Sequence, residues 1–245
     1  MIIEGKNAVI EALNSNENFT IEKILISSSM KGADFNTIFL LAKKRNIPVQ
    51  TVPAESLSGE VKSKHQGVIA YCTTFIYSQV SEILEVAKEK NESHFIVILD
   101  SIEDPHNFGS IIRVCECLGV HGIIFGKNRA CTVNETVIKT SAGAISHVKI
   151  AKVTNINHEI ENLKNANIWV YACELGGTPL EKANLKGNIA IVIGSEGRGV
   201  SELTKKTCDG VLTIKMKGKI NSLNASVAAG IVLHEVSKQR IEVKN

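Results

Sequence analysis

The sequence predicts an α/β protein whose larger, C-terminal domain is built on a parallel sheet, with a smaller α/β unit ahead of it. Three observations carry this. Strongly apolar, Val/Ile-rich runs recur at 95–99 (FIVIL), 122–125 (GIIF), 168–173 (IWVYAC), 189–193 (IAIVI) and 211–214 (VLTI), the pattern of strands covered by helices on both faces. They alternate with stretches of helical spacing. The strands before residue 75 are shorter of apolar residues and more polar, which sets them apart as a separate unit.

Taken in order, residues 21–28 (IEKILISS), 47–52 (IPVQTV) and 67–74 (GVIAYCTT) predict strands of the first unit. Between the first two, residues 34–45 (DFNTIFLLAKKR) have helical spacing and a basic last turn that complements the helix dipole. Residues 79–91 read as a charged surface helix, and 224–239 as the last helix. The expected division is 1–74, a connecting segment with its helix at 75–94, and 95–245.

With 245 residues, 44% of them apolar, the chain has enough material for a sizeable core. Lys and Arg number 28 against 25 Asp and Glu, a net charge of +3, which excludes a histone-like polycation. The charge is spread evenly: residues 1–74 hold 8 basic and 7 acidic side chains, and 75–245 hold 20 and 18. A local excess lies in 198–219, where Arg198, Lys205, Lys206, Lys215, Lys217 and Lys219 face only Glu202 and Asp209. Lys43-Lys44-Arg45 is a second basic run, compatible with an RNA contact or with a solvated helix end. Aromatic residues make up only 4%, which speaks against long rows of base-stacking rings. No run of apolar residues reaches the length of a membrane span, and the opening MIIEGKNAVIEAL lacks the pattern of a signal peptide. The six cysteines form no CxxC pair, so neither a metal site nor disulfides are expected. These features point to a cytoplasmic protein.

In open parallel sheets, ligands bind beyond the carboxyl ends of the strands, and three strand ends carry unusual sequences. The first runs from Asp100 through Asp104-Pro105-His106-Asn107-Phe108-Gly109 to Arg113. Asn107 reads as the N-cap of a helix starting near Phe108, and Arg113 as a cation able to hold an anion near that helix start. The second is Gly194-Ser195-Glu196-Gly197-Arg198-Gly199, a glycine-rich loop able to expose backbone amides. It is neither a GxGxxG dinucleotide fingerprint nor a GxxxxGK[ST] phosphate loop, which weakens an oxidoreductase or nucleoside-triphosphatase reading. The third runs from Ile214 through Ser222, Leu223, Asn224 and Ser226 to Gly230, polar groups gathered at a helix start and followed by small residues.

The ordered triplet resembles the SpoU/TrmH family of SPOUT RNA 2′-O-methyltransferases. The matching patterns are N-x-G-x-x-x-R (Asn107, Gly109, Arg113), G-x-E-x-x-G (Gly194, Glu196, Gly199) and S-L-N-x-S-x-A-x-G (Ser222, Leu223, Asn224, Ser226, Ala228, Gly230). The opening Gly5–Leu13 and His65-Gln66-Gly67-Val68 are similar to the substrate-binding domain of the RlmB-like branch, which methylates a guanosine of 23S ribosomal RNA. The resemblance implies S-adenosylmethionine as methyl donor, a deep trefoil knot in the C-terminal domain, a homodimer formed through that domain, and RNA as substrate, with no metal. It implies catalytic or substrate roles for Arg113, Asn107, Glu196, Ser222 and Asn224, and donor binding by Gly194, Glu196, Gly197, Gly199, Ile214, Leu223 and Ser226. The chain departs from the family where Ile214-Lys215-Met216 replaces the common Ile-Pro-Met.

Overall fold

In the computed structural model, which describes residues 1–14, 20–60, 65–219 and 222–241, the chain begins with β1 (Ile2–Glu4), α1 (Lys6–Asn14), β2 (Ile21–Ser27), α2 (Ala33–Lys44), β3 (Val49–Val52), α3 (Ala54–Glu60) and β4 (Val68–Cys72). It continues with α4 (Val80–Glu89), β5 (Phe95–Asp100), α5 (Pro105–Cys117), β6 (Gly122–Gly126), α6 (Glu135–Thr140), β7 (Lys149–Val153) and α7 (Ile156–Asn165). The last elements are β8 (Trp169–Pro179), β9 (Ile189–Gly194), α8 (Glu202–Thr207), β10 (Gly210–Thr213) and α9 (Ala225–Ile241). Ile220 and Asn221 of the third motif segment lie outside the described residues.

The chain divides into two units, Met1–Ile76 with Val133–His147, and Tyr77–Thr132 with Val148–Asn245. The first holds a four-stranded sheet of order β1-β4-β2-β3, in which β4 runs antiparallel to both neighbours and β3 parallel to β2. Ile24, Ile26, Val68, Ile69 and Ala70 are buried on it. Helix α2 turns Ile38 and Ala42 inward. Residues 133–147, counted in the sequence with 95–245, cluster with this unit instead. Lys139 pairs with Glu4 at 3.0 Å, and Gly143, at φ +95°, lies where a Cβ would fall 2.6 Å from the Glu11 side chain.

The second unit holds a six-stranded sheet of order β10-β8-β9-β5-β6-β7, parallel throughout. Every residue of β5 and β6 is buried, as their unbroken apolar runs require of central parallel strands. Helix α4 is more than a connection. A capping box between Gln79 and Glu82 starts it, and its Ile83 is fully buried in the sheet's core cluster with Ile96, Ile124 and Leu163. From β5 the chain steps outward to β6 and β7, then crosses to the other side for β8, β9 and β10. The order therefore reverses between β5 and β9, where Asp100 and Gly194 are register partners.

Candidate functional site

At this reversal the carboxyl ends of two central strands open side by side, the usual place for a ligand in such sheets. After β9 the chain turns tightly: Gly199 N–H donates to the Ser195 carbonyl at 2.8 Å. The turn needs its glycines. A Cβ on Gly194 would lie 2.1 Å from the Gly199 carbonyl carbon, and Gly199 sits at φ +63° with its missing Cβ 1.9 Å from Glu174 Oε2. Two carboxylates clamp the exit of the turn. Val200 N–H donates to Glu174 Oε2 at 3.1 Å, and Ser201 N–H to Asp100 Oδ2 at 2.9 Å. From sequence Asp100 only opens the first segment without a role, and Glu174 is not singled out at all. Their signal was available, since each is the first charged residue at the carboxyl end of an apolar strand.

The three motif segments meet at one carboxylate oxygen. Glu196 Oε1 accepts from Asn107 Nδ2 at 2.9 Å, from Asn224 Nδ2, and from the Ala225 N–H at 3.4 Å. Asn224 Nδ2 also donates to Asn107 Oδ1 at 2.9 Å. Asn107 does not cap its helix. Asp104 caps α5, accepting from His106 N–H at 2.8 Å, with Pro105 at the first helical position, where its missing donor costs nothing. That leaves the Asn107 amide, only 7% exposed, free to reach Glu196. Asn224 does double duty, because its Oδ1 accepts from Ser226 N–H at 3.0 Å and Val227 N–H at 3.2 Å and so caps α9.

The Ser195–Arg198 turn is a wall between two cavities of about 260 Å³ each. The first is lined by Gly194, Glu196, Gly197, Gly199, Ile214 and Leu223, together with Ile193, Met216, Ser222, Glu174 and Cys173. Beside it the register between β8 and β10 breaks, where Ala172 pairs with Val211 but Leu212 pairs with Thr178. Cys173, Glu174 and Leu175, in the interval the break skips, line the cavity. Burial and the neighbouring Glu174 push the Cys173 thiol up to about 12, so it stays protonated at neutral pH and is no nucleophile. The second cavity is lined by Ser101, Glu103, Asp104 and Asn107 on its far side. Ser101 holds φ +63° there, a conformation uncommon for a non-glycine residue.

Two sequence-derived site residues stand apart. Arg113 is exposed on α5, lines neither cavity and makes no hydrogen bond or ion pair among the described residues. Ser226 also lines neither; its hydroxyl donates to Asn224 Oδ1 at 2.6 Å, completing the cap. In the basic stretch, Lys205 is taken up by Glu202 and Lys215 by Glu181, leaving Arg198, Lys206, Lys217 and Lys219 exposed. The Lys215 side chain is thus outside the first cavity while Ile214 and Met216 line it. Among the described residues no group of three or more His, Cys, Asp or Glu is placed to hold a metal, and no helix is long and apolar enough to cross a membrane.

A doubly wound parallel sheet with a glycine-loop cavity at its switch point defines a small-molecule-binding α/β enzyme class. Within it the chain belongs to the SpoU rRNA methylase family, whose model matches residues 94–234, and residues 2–78 match the RNA 2′-O ribose methyltransferase substrate-binding model. The Bacillus subtilis (strain 168) protein YacO, named for the TrmH family of tRNA/rRNA methyltransferases, is 41% identical over 96% of this chain and 94% of its own length. A Staphylococcus aureus (strain MSSA476) protein named for the same family is 41% identical over 99% of this chain and 97% of its own. Among solved structures, the SpoU methyltransferase AviRb from Streptomyces viridochromogenes, in complex with the cofactor AdoMet, has the same fold. It superposes with a TM-score of 0.80 at 21% identity, over 98% of this chain and 90% of that one. An AdoMet-bound rRNA methyltransferase from Sinorhizobium meliloti gives 0.79 at 21% identity, over 97% and 86%. The family read from the three sequence motifs is borne out.

Proposed function

We propose that this chain transfers the methyl group of S-adenosylmethionine to a ribose 2′-hydroxyl of structured RNA, with a guanosine of 23S ribosomal RNA as target. The observation that carries the reading is the single wall, Ser195–Arg198, standing between two adjacent cavities and fixed by Asn107, Glu196 and Asn224. The first cavity fits the donor. Gly194 and Gly199 leave room that a Cβ would fill, Ile193, Ile214 and Leu223 offer apolar walls, and the carboxylates of Glu174 and Glu196 suit a cation. The second cavity, reached past Asn107, receives the ribose.

When bound, the donor supplies an electrophilic methyl group on a cationic sulfur. The protein's part is alignment: the wall holds the two sites in fixed relation, which is where most of an intramolecular rate advantage originates. Arg113 presents a planar cationic fork suited to a phosphate, so it acts by binding a substrate phosphate and polarising the hydroxyl. As the new C–O bond forms and the methyl–sulfur bond breaks to leave a neutral thioether, the hydroxyl proton leaves to a phosphate oxygen or to water. Arg198, Lys206, Lys217 and Lys219 supply the salt-sensitive attraction for RNA.

The proposal includes a homodimer formed through the second unit. Val227 and Ile231 are exposed on α9 beside α5, an apolar strip on the layer that also carries Arg113. It includes the knotted path, supported by the return of the chain from the edge strand β10 to the Glu196 turn at the middle of the sheet. Calorimetry with S-adenosylmethionine, and mapping of 2′-O-methyl positions in ribosomal and transfer RNA with and without the gene, test the reading. A missing donor heat, or an unchanged methylation map, overturns it.

A further inference from the structure

The first unit exposes apolar side chains on one face of α2. On α2, Phe35 and Phe39 stack with ring centroids 5.9 Å apart and planes within 12°. Phe39 is 44% exposed and the adjacent Leu40 65% exposed. Residues four apart on a helix are neighbours, and two parallel rows result: Phe35, Phe39, Lys43 and Asn36, Leu40, Lys44. Each row has an exposed apolar residue in its middle and ends on an exposed lysine. The helix has one acid, Asp34, and Lys6 occupies it at 2.7 Å. Lysines at a helix end also complement the dipole, which accounts for their charge but not for an exposed ring, stacked on a half-buried one, and a leucine left facing water in a chain with so few aromatics.

We infer that this face of α2 is a stacking platform for unpaired bases of the RNA substrate, with Phe35 and Phe39 as the platform and Lys43 and Lys44 as its phosphate contacts. The inference rests on the RNA reading above and names the surface by which the first unit takes hold of the strand. Two rings already offset-stacked present a planar, apolar face. A base added to that stack needs no reordering of the protein, and stacking accepts any base. The paired lysines lie at one end, where a strand leaving the stack places its phosphates. An unpaired strand is favoured over a duplex, because a duplex keeps its bases stacked inside and offers no face to the rings. A protein partner or a second copy of the chain would use the apolar area but not the planarity of the rings.

The test uses the full-length protein with two probes, single-stranded oligoadenylate and a fully paired RNA duplex of equal length. Phe35→Ala/Phe39→Ala is expected to weaken oligoadenylate binding about ten-fold, the scale of a lost base–ring stack, and to leave duplex binding unchanged. Phe39→Leu keeps apolar area and loses the ring, and is expected to bind weakly; Phe39→Tyr is expected to bind as the parent does. Lys43→Gln/Lys44→Gln is expected to flatten the salt dependence of oligoadenylate binding. Ile38 and Ala42, which hold α2 to its unit, are untouched, so the Phe39 single variants and the paired lysine variant are expected to melt with the parent, and Phe39→Leu decides the matter where the double alanine variant melts lower. Wild-type affinity in Phe39→Leu, equal losses on both probes, or a changed sedimentation coefficient in the double variant would overturn the inference, the last in favour of a second copy on this face. Donor calorimetry separates this from the methyltransferase reading. A protein that binds oligoadenylate through the two rings but takes no S-adenosylmethionine keeps the platform and loses the activity; one that binds donor while its ring variants bind RNA normally does the reverse.

Discussion

Gly194→Ala is the sharpest perturbation of the proposed donor site. The added methyl would lie 2.1 Å from the Gly199 carbonyl carbon, 2.3 Å from its oxygen and 2.3 Å from the Val200 nitrogen. All three are backbone atoms, so no side chain can swing aside. Restoring contact to 3.4 Å requires the turn to retreat by about 1.3 Å. The turn is held at its exit by Glu174 and Asp100, so the retreat strains both clamps. Overpacking of this kind costs roughly 1–3 kcal/mol, or a melting temperature lowered by about 2–12 °C for a unit of this size. The same retreat deforms the wall of the first cavity, and donor affinity is expected to fall at least about ten-fold. Gly197→Ala is the control on the same turn, because its Cβ would meet nothing within 4 Å; it is expected to melt with the parent. Thermal melts and S-adenosylmethionine calorimetry on the two variants decide the matter. If Gly194→Ala matches the parent in both, or if the two variants lose equally, the close approach of Gly194 to Gly199 does not shape the site.

Asn107 lines only the second cavity and reaches the first through Glu196, so Asn107→Ala is expected to lower the methylation rate roughly ten- to hundred-fold with a smaller loss of donor affinity; a donor affinity lost as fully as the rate would put Asn107 in the wrong site. Arg113→Lys keeps the charge but loses the planar fork, and is expected to slow single-turnover methylation about ten-fold or more without changing donor binding, because Arg113 lies outside the first cavity. An unchanged rate would refute the positioning role. His121 is buried at the start of the sheet, its Nδ1 accepting from Phe95 N–H at 3.0 Å and its Nε2 facing Glu92 at 3.1 Å. Burial, with Lys90 and Arg240, lowers its pKa against the pull of Glu92. The unfolded chain then binds a proton more readily than the folded one. Stability present above about pH 6.5 is therefore lost as pH falls through that value toward the lower folded pKa. His121→Asn keeps an acceptor for Phe95 and is expected to shrink the fall in melting temperature between about pH 7.5 and 5.5; an equal fall would refute the assignment.

The central strands were legible because continuous burial on two faces writes itself as continuous Val and Ile. Edge strand β7 was not, since Lys149-Ile-Ala-Lys-Val153 has the mixed polarity of a half-exposed strand and reads equally well as a loop. The return of residues 133–147 to the first unit rests on contacts such as Lys139 with Glu4, far apart in the chain and without local pattern. At the site, the residue types were legible and their connections were not. The bonds of Asn107 to Glu196 and Asn224 span 89 and 117 residues. Asp104-Pro105 carried both signals of the helix start, and reading Asn107 as the cap gave the better-placed residue the wrong task. Ser226 has a motif position for a local reason, the cap of α9, and contributes nothing to either cavity wall.

Three segments remote in sequence thus depend on one oxygen, and this makes a quantitative demand. Glu196 Oε1 serves Asn107, Asn224 and Ala225 together, and the two asparagines are bonded to each other. Removing either amide loosens the other, so the second loss costs less than the first. Asn224→Ser isolates this effect, because a serine still caps α9 but has no amide to donate to Glu196. In a cycle with Asn107→Ala, the stability loss of the double variant is expected to fall short of the sum of the single losses by at least about 0.5 kcal/mol, as for residues in one network. The same shortfall is expected in the methylation rate, since one wall serves both cavities. Additivity in denaturant melts to within about 0.3 kcal/mol would mean that the asparagines act separately, and that the motifs meet in space without sharing a load.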